Sequence, residues 1–368
     1  MIKVFEAFAG YGSQRMALRN ANIPHEVVGI SEIDGDVILS YASIHENLLK
    51  KRESFYEDNE QLMYEFLESI NVPLDYKSFE LKARKLKGQK LRDIYLANNL
   101  CKNYGDIRII DPALLPDFDF FTYSFPCQDI SVAGYQNGFS KNSGTRSSLL
   151  WECCKIIETK QPKYLMMENV KNLVGKNHKS NFLKFLNHLE TLGYKNYWKV
   201  LNARDYGIPQ NRERVFCISI RDDLNANFTF PSPKELDLFM TDLLEDNVPQ
   251  NFYLKNNQVT DAPIQQKYIY CLDSNYWKGT FLKDFIEKKR RQLVSGPINS
   301  DGKYPARRLT PLETWRFMGV KDSDFKNASK LISNTSLYKQ SGNSIVVPVL
   351  EELFKKLFKK EIKLNEIK

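Results

Sequence analysis

The sequence predicts an α/β fold, with a sheet of buried strands covered by helices on both faces, and three observations carry that prediction. The chain opens as strand, glycine turn, helix and strand within 45 residues. Short apolar runs of strand length then alternate with helix-compatible stretches. From Asp222 to about Ala306 that rhythm is lost, and aromatics, Pro, Asn and Lys dominate, which marks a second, small and irregular domain.

Taken in order, Val4 to Ala9 is rich in strand formers, and Gly10-Tyr11-Gly12 makes a tight turn. Ser13 to Asn20 suits a helix, and Val27 to Ile30 is a second buried run. Residues 47 to 104 are dense in Lys and Glu. Leu62, Phe66 and Ile70, then Leu91, Ile94 and Tyr95, recur there at helical spacing, so a charged helical insertion is expected. Strands return at Phe118 to Ser124, Lys163 to Met167, Tyr197 to Leu201 and Val215 to Ile220, with helices at Leu149 to Thr159 and Asn181 to Leu192. Beyond residue 306, Pro311 to Met318 reads as a helix with proline in its first turn. Leu350, Leu353, Phe354, Leu357 and Phe358 share one helical face, so the chain is expected to return to the first domain.

Composition bounds the function. A length of 368 residues gives a prior of two domains. Lys and Arg number 53 against 45 Asp and Glu, and the resulting +8 is a moderate bias toward polyanionic partners. Mean hydropathy is negative, no apolar run approaches the ~18 residues that span a bilayer, and Glu6 interrupts the one stretch resembling a signal peptide. A soluble, cytoplasmic protein with no membrane partner is expected. Six cysteines without a CxxC and four histidines without an HxxxH argue against a disulfide framework and against a metal site.

Several clusters can carry chemistry. The glycines of Phe8-Ala9-Gly10-Tyr11-Gly12 let backbone amides approach a ligand, but Arg15 stands where a dinucleotide fingerprint needs its third glycine. Glu32, at the end of the second strand, suits the hydroxyls of a ribose. Together they favour a nucleoside cofactor without a pyrophosphate, against a plain glycine turn with a surface glutamate. Pro126 presents Cys127 rigidly at the carboxyl edge of the sheet, a setting for a nucleophilic thiol, although buried cysteines are usually structural. Cys153 and Cys154 are assigned to a helix interior. Glu168 ends the next strand and can share a proton with a ring nitrogen, or simply cap a helix. Arg212 and Arg214, two apart on an extended segment, are expected to share a face that clamps a carbonyl or phosphate, or to form a surface ion-pair cluster. Lys288, Lys289, Arg290 and Arg291 suit a phosphate backbone, or a solvated helix face.

The order of these signals is more specific than any one of them. FAGYG, Glu32, Gly105-Asp106-Ile107, FPCQDIS, ENV, QNRERVF, Leu309-Thr310-Pro311-Leu312-Glu313 and Gln340-Ser341-Gly342-Asn343-Ser344 resemble the ordered motifs of the cytosine-C5 DNA methyltransferases, in the single-chain bacterial and viral type that includes the mollicute CG enzymes. The resemblance covers residues 1 to 222 and 306 to 354. It implies a Rossmann-like S-adenosylmethionine-dependent methyltransferase fold with a mostly parallel seven-stranded sheet. It also implies a catalytic and cofactor-binding domain at 1–222 carrying the 47–104 insertion, a target-recognition domain at 223–306, and a return to the catalytic domain at 307–368.

On that resemblance S-adenosyl-L-methionine is the cofactor. Phe8, Ala9, Gly10, Tyr11 and Gly12 would line its methionine end, Glu32 would hold its ribose, and Ile33, Asp106 and Ile107 its adenine. Pro126, Leu149, Asn343 and Ser344 would complete the pocket. Cys127 would be the nucleophile, with Glu168, Arg212 and Arg214 on the target cytosine. Ser131 to Phe139, Ser131 and Gln136 among them, would belong to a loop that closes over DNA. Lys288 to Arg291, with Tyr276, Trp277 and Lys278, are the candidates for contact with double-stranded DNA. A monomer is expected, with a cognate restriction endonuclease as a further partner.

Two departures stand out: Ser13 where many relatives carry glycine, and Ile33 where an aromatic often stacks on adenine. A tRNA-modifying relative would be expected to carry Cys-Phe-Thr, which is absent here. A non-catalytic DNA-binding relative is disfavoured by the intact Cys127, Glu168, Arg212 and Arg214 set, and a dehydrogenase by the incomplete glycine fingerprint.

Overall fold

The computed structural model describes residues 1–75, 78, 80–126, 148–255, 258–359 and 362. The chain divides into two compact units. Met1–Leu201, Glu213–Pro231 and Glu351–Lys368 form the first, and Asn202–Arg212 and Ser232–Leu350 the second.

The first unit begins β1 (Ile2–Ala7), α1 (Ser13–Asn20), β2 (His25–Ser31) and α2 (Gly35–His45). Its sheet continues with β3 (Phe120–Tyr123), β4 (Tyr164–Val170) and β5 (Tyr194–Asn202). After the short β6 (Gln210–Asn211) of the second unit comes β7 (Glu213–Arg221), and the strand order is β2-β1-β3-β4-β7-β5. β1 pairs in parallel with β2 and β3, and β3 with β4, while β7 runs antiparallel to β4. Strands buried on both faces need apolar residues at consecutive positions, and Val4 and Phe5 together with Phe120 and Phe121 supply them.

The expected seven strands are six among the described residues. Beyond β2 the next position is held by a single parallel bridge between Ile30 and Asn103. Lys102 and Gly105, at φ 50° and 69°, turn the chain on either side of that bridge and prevent a strand from extending.

α6 (Ser148–Lys160) and α7 (Lys179–Thr191) contribute Cys153, Cys154, Ile157, Phe182 and Phe185 to a core that also holds Phe5, Phe121, Tyr123 and Leu165. Each such side chain contributes about 1.5–3 kcal/mol on burial. Phe120 points to the opposite face from Phe121, and there the rings of Phe354 and Phe358 meet it edge-on at 5.4 and 5.2 Å. The C-terminal return therefore covers the second face of the sheet. No helix among the described residues is long and apolar enough to cross a membrane.

The insertion is helical as expected, with α3 (Leu48–Ser54), α4 (Glu60–Ser69) and α5 (Gly88–Leu100). The expected buried face of α4 is out of phase. Met63, Tyr64 and Leu67 are buried while Leu62 is exposed, because the helix packs on the row one position on from the Leu62 row. Leu91 and Ile94 are buried as the spacing requires.

The second unit holds an antiparallel sheet of β8 (Val259–Thr260), β10 (Leu293–Ser295) and β11 (Tyr304–Arg308), and a pairing of β6 with β9 (Ile269–Tyr270). Its helices are α8 (Leu282–Lys288), α9 (Pro311–Arg316), α10 (Asp322–Ser329) and α11 (Asn334–Asn343), and α12 (Val347–Leu357) follows. These units do not follow the expected boundaries: residues 307–350 belong with the irregular region. The reason lies in packing, since Leu309, Phe317 and Tyr338 share one core with Met240, Ile269 and Tyr276.

Candidate active site

The glycine turn after β1 is backbone held in the left-handed region, with φ of 55° at Phe8, 58° at Gly10 and 85° at Gly12. That conformation is uncommon for a bulky residue, and Phe8 keeps it while its amide donates to the Ser31 carbonyl at 2.8 Å. At Gly12 a Cβ would lie 2.4 Å from His45 Nε2, so closeness as well as φ demands glycine. His45 Nε2 donates to the Tyr11 carbonyl at 3.1 Å. Burial, reinforced by the nearby Arg15, holds its imidazole well below the usual histidine range.

Under this turn lies a polar cluster that sequence reasoning missed. Glu6 is fully buried, and the Tyr41 hydroxyl donates to its Oε2 at 2.7 Å. Burial pushes the Glu6 carboxyl up to about 7, partly offset by the Tyr41 hydrogen bond and the Arg15 charge. Arg15 in turn pairs with Glu46 at 2.5 Å. The trace in the sequence is an acid within the apolar run Val4 to Ala9.

Glu32 directly follows β2. Its Oε2 accepts from the Gly10 amide at 3.0 Å, and its Oε1 from the Ile33 and Asp34 amides at 2.8 and 3.1 Å. Burial raises its carboxyl, as does the Asp34 charge, against the pull of those amides. Asn103 ties this turn to the next. Its Oδ1 accepts from the Glu32 and Gly105 amides at 3.0 and 3.1 Å, and its Nδ2 donates to the Glu32 carbonyl at 2.9 Å and to Asn98 Oδ1 at 2.7 Å. Asn103 was also missed, although an Asn just before a Gly-Asp turn is a signal for such a cap. Asp106 is buried and paired with Arg108 at 2.6 Å, and Ile107 lies in the core.

At the ends of β3 and β4, Asn169 Nδ2 donates to the Phe125 carbonyl at 2.9 Å and so anchors the chain just before Pro126, which is exposed. Glu168 is buried and pairs with Arg214, Nε to Oε1 at 3.3 Å. Leu149 packs partly buried against the core. Cys127, Ser131 and Gln136 lie outside the described residues.

The expected common face of Arg212 and Arg214 is corrected. Arg212 falls between β6 and β7, where its amide donates to the Gln210 carbonyl and to Asn202 Oδ1 and the chain leaves the extended path, so the two-residue period does not carry across. Its guanidinium is buried and donates to the carbonyls of Leu272, Gly342 and Ser344 at 2.7, 2.9 and 2.7 Å. Ser344 is itself held by Gln340, and Asn343 is exposed.

The basic run is divided in role. Lys288 pairs with Asp284 at the end of α8, and Arg291 donates to the Gly279 carbonyl. Lys289 and Arg290 are exposed. Phe281, Ile286 and Trp277 are exposed apolar side chains of the same unit.

Comparison with known proteins gives this arrangement its class. Solved methyltransferases share the fold: a Dnmt2 methyltransferase of S. pombe superposes with a TM-score of 0.60 at 16% identity, over 98% of this chain and 99% of that one. Residues 63–359 match the C-5 cytosine-specific DNA methylase family. The chain is 73% identical to the Type II methyltransferase M2.ScrFI of Lactococcus lactis subsp. cremoris, over 98% of its own length and all of that protein. It is 33% identical to the orphan methyltransferase M.SssI of Spiroplasma monobiae, over 97% of each chain. The chain belongs to the C-5 cytosine-specific DNA methylase family and is a DNA cytosine methyltransferase.

Proposed function

We propose that this enzyme transfers a methyl group from S-adenosylmethionine to C5 of a cytosine flipped out of a short double-stranded site, through a covalent adduct at Cys127. The Glu168–Arg214 pair, at the end of β4 beside the anchored Phe125–Pro126 segment, is the observation that carries this reading.

The residues around the glycine turn fit the cofactor. Gly10 and Gly12 leave room against the backbone, and Glu32 has used three of about four carboxylate acceptor positions on amides, which leaves one for a ribose hydroxyl. Releasing the Gly10 amide would free another. The cofactor supplies a methyl group on a sulfonium, whose sulfur leaves as a neutral thioether.

The cytosine ring resists alkylation at C5 because its aromatic conjugation must first be broken. Addition of the Cys127 thiolate to C6 moves the C5–C6 π electrons to C5, where the methyl group is accepted. Glu168, oriented by Arg214, holds a proton at N3 and offsets the charge that develops in the ring. Removal of the C5 proton returns the electron pair to C5–C6 and expels the thiolate. Extruding the base costs a few kcal/mol, and cationic contacts to phosphates help hold the distorted duplex. Arg212 has a positioning role within its own unit, where it fixes the Gly342–Ser344 backbone. Similarity to a Type II methyltransferase supports a cognate restriction endonuclease as a further partner.

Incubation with an oligonucleotide containing 5-fluorocytosine and S-adenosylmethionine should trap an irreversible conjugate at Cys127, located by mass spectrometry, because fluorine cannot leave as a proton does. Turnover on ordinary DNA without any trapped conjugate would reject the mechanism. Bisulfite sequencing of DNA from expressing cells reads the modified base and its context.

A further inference from the structure

The 47–104 insertion reaches both turns assigned to the nucleoside end of the cofactor. On one side, the Leu74 amide donates to the Ile33 carbonyl at 3.0 Å. On the other, the Asp106 amide donates to the Ile70 carbonyl at 3.0 Å, and Asn71 Nδ2 approaches Asp106 Oδ2 at 3.4 Å. The fit is close: a Cβ on Gly105 would lie 1.9 Å from the Ile70 oxygen. Between the two turns stands Asn103, all four of whose hydrogen-bonding positions are taken, and Asn98 of α5 supports it while donating to the Ile94 carbonyl at 2.7 Å. We propose that the insertion is a positioning element for cofactor binding, in which Asn103, backed by Asn98, and the 70–74 segment set the spacing between Glu32–Ile33 and Gly105–Asp106–Ile107.

This rests on the assignment of Glu32, Ile33, Asp106 and Ile107 to the cofactor. A DNA-contacting role for the insertion is disfavoured by its charge pattern, since Arg52, Lys82, Arg84, Lys85 and Arg92 are paired with Asp93, Asp75, Glu68, Glu80 and Asp58.

Titration calorimetry with S-adenosylhomocysteine on the full-length protein tests it. Asn103→Ala should weaken binding about tenfold or more and Asn98→Ala by about threefold or more, the scale of one or two buried hydrogen bonds. The KM for S-adenosylmethionine should rise in step, with kcat changing far less. Asp93→Asn, which breaks the Arg52 pair in the same insertion without touching this relay, should leave the affinity within about twofold. Equal weakening by Asp93→Asn would show general loosening and overturn the proposal. Glu32→Ala separates the two failures. If it binds like the native protein, the cofactor assignment is wrong, whereas if it alone loses affinity, the positioning role is wrong. Hydrogen exchange on the native protein needs no variant to fold: S-adenosylhomocysteine should slow the Leu74 and Asp106 amides, and protection confined to the Glu32 turn would overturn the role of the insertion.

Discussion

Glu6 shows how a single buried acid sets a pH dependence. Its carboxyl is raised to about 7 in the fold from its ordinary 4.5, so the folded chain holds a proton that the unfolded chain has lost between those limits. Stability therefore falls as pH rises through that window, by about 3 kcal/mol in all. Glu6→Gln keeps an acceptor for Tyr41 and removes the ionisation. Its melting temperature should exceed that of the native protein by more at pH 8.5 than at pH 5.5, and an equal offset at both would refute the assignment. Arg212 makes the complementary case. Arg212→Met leaves the Leu272, Gly342 and Ser344 carbonyls buried without their donor, and urea titration should show a loss of about 3 kcal/mol. Arg212→Lys should recover only part of this, because an ammonium lacks the planar fork that reaches three oxygens. Neither role is visible in local sequence, where Glu6 is a break in a strand and Arg212 one of two arginines at an apparently common spacing.

Elements were legible in proportion to how local their causes are. α1 spans Ser13–Asn20, the span its sequence pattern predicts, and β1 to β4 fall within a few residues of their apolar runs. α9 starts at Pro311 behind a Thr310–Glu313 capping box, a signal written in the chain itself. That box has a second function. Glu313 is fully buried and takes Arg307 bidentately at 2.8 and 2.9 Å, so Glu313→Gln strips a buried guanidinium of its counter-charge and should cost about 3–5 kcal/mol in denaturant unfolding. Gly105→Ala should be similarly disruptive, since both its φ of 69° and the nearby Ile70 carbonyl exclude a Cβ; a melting temperature within a degree or two of native would contradict the packing described here. The phase of α4 was not legible, because a short helix rich in apolar residues offers two rows and only its neighbours choose between them.

At the scale of the whole molecule, the net charge of +8 and the exposed Lys289 and Arg290 predict salt-sensitive DNA binding. Replacing both by Ala should reduce the slope of log affinity against log salt by about 2 if each neutralises one phosphate, measured by anisotropy between about 50 and 200 mM salt. An unchanged slope would remove the run from the interface. The amino-acid sequence by itself determined the α/β class, the order of the motifs and the family to which the chain belongs, because each depends on residue type, on spacing within one element, or on the order of motifs along the chain. Tertiary structure decided where the units divide, why Arg212 and Arg214 part company, and what Asn103 holds. Those outcomes depend on a core shared by distant segments and on hydrogen bonds between residues 71 to 132 positions apart, and such contacts exist only once the strands and turns have been brought together.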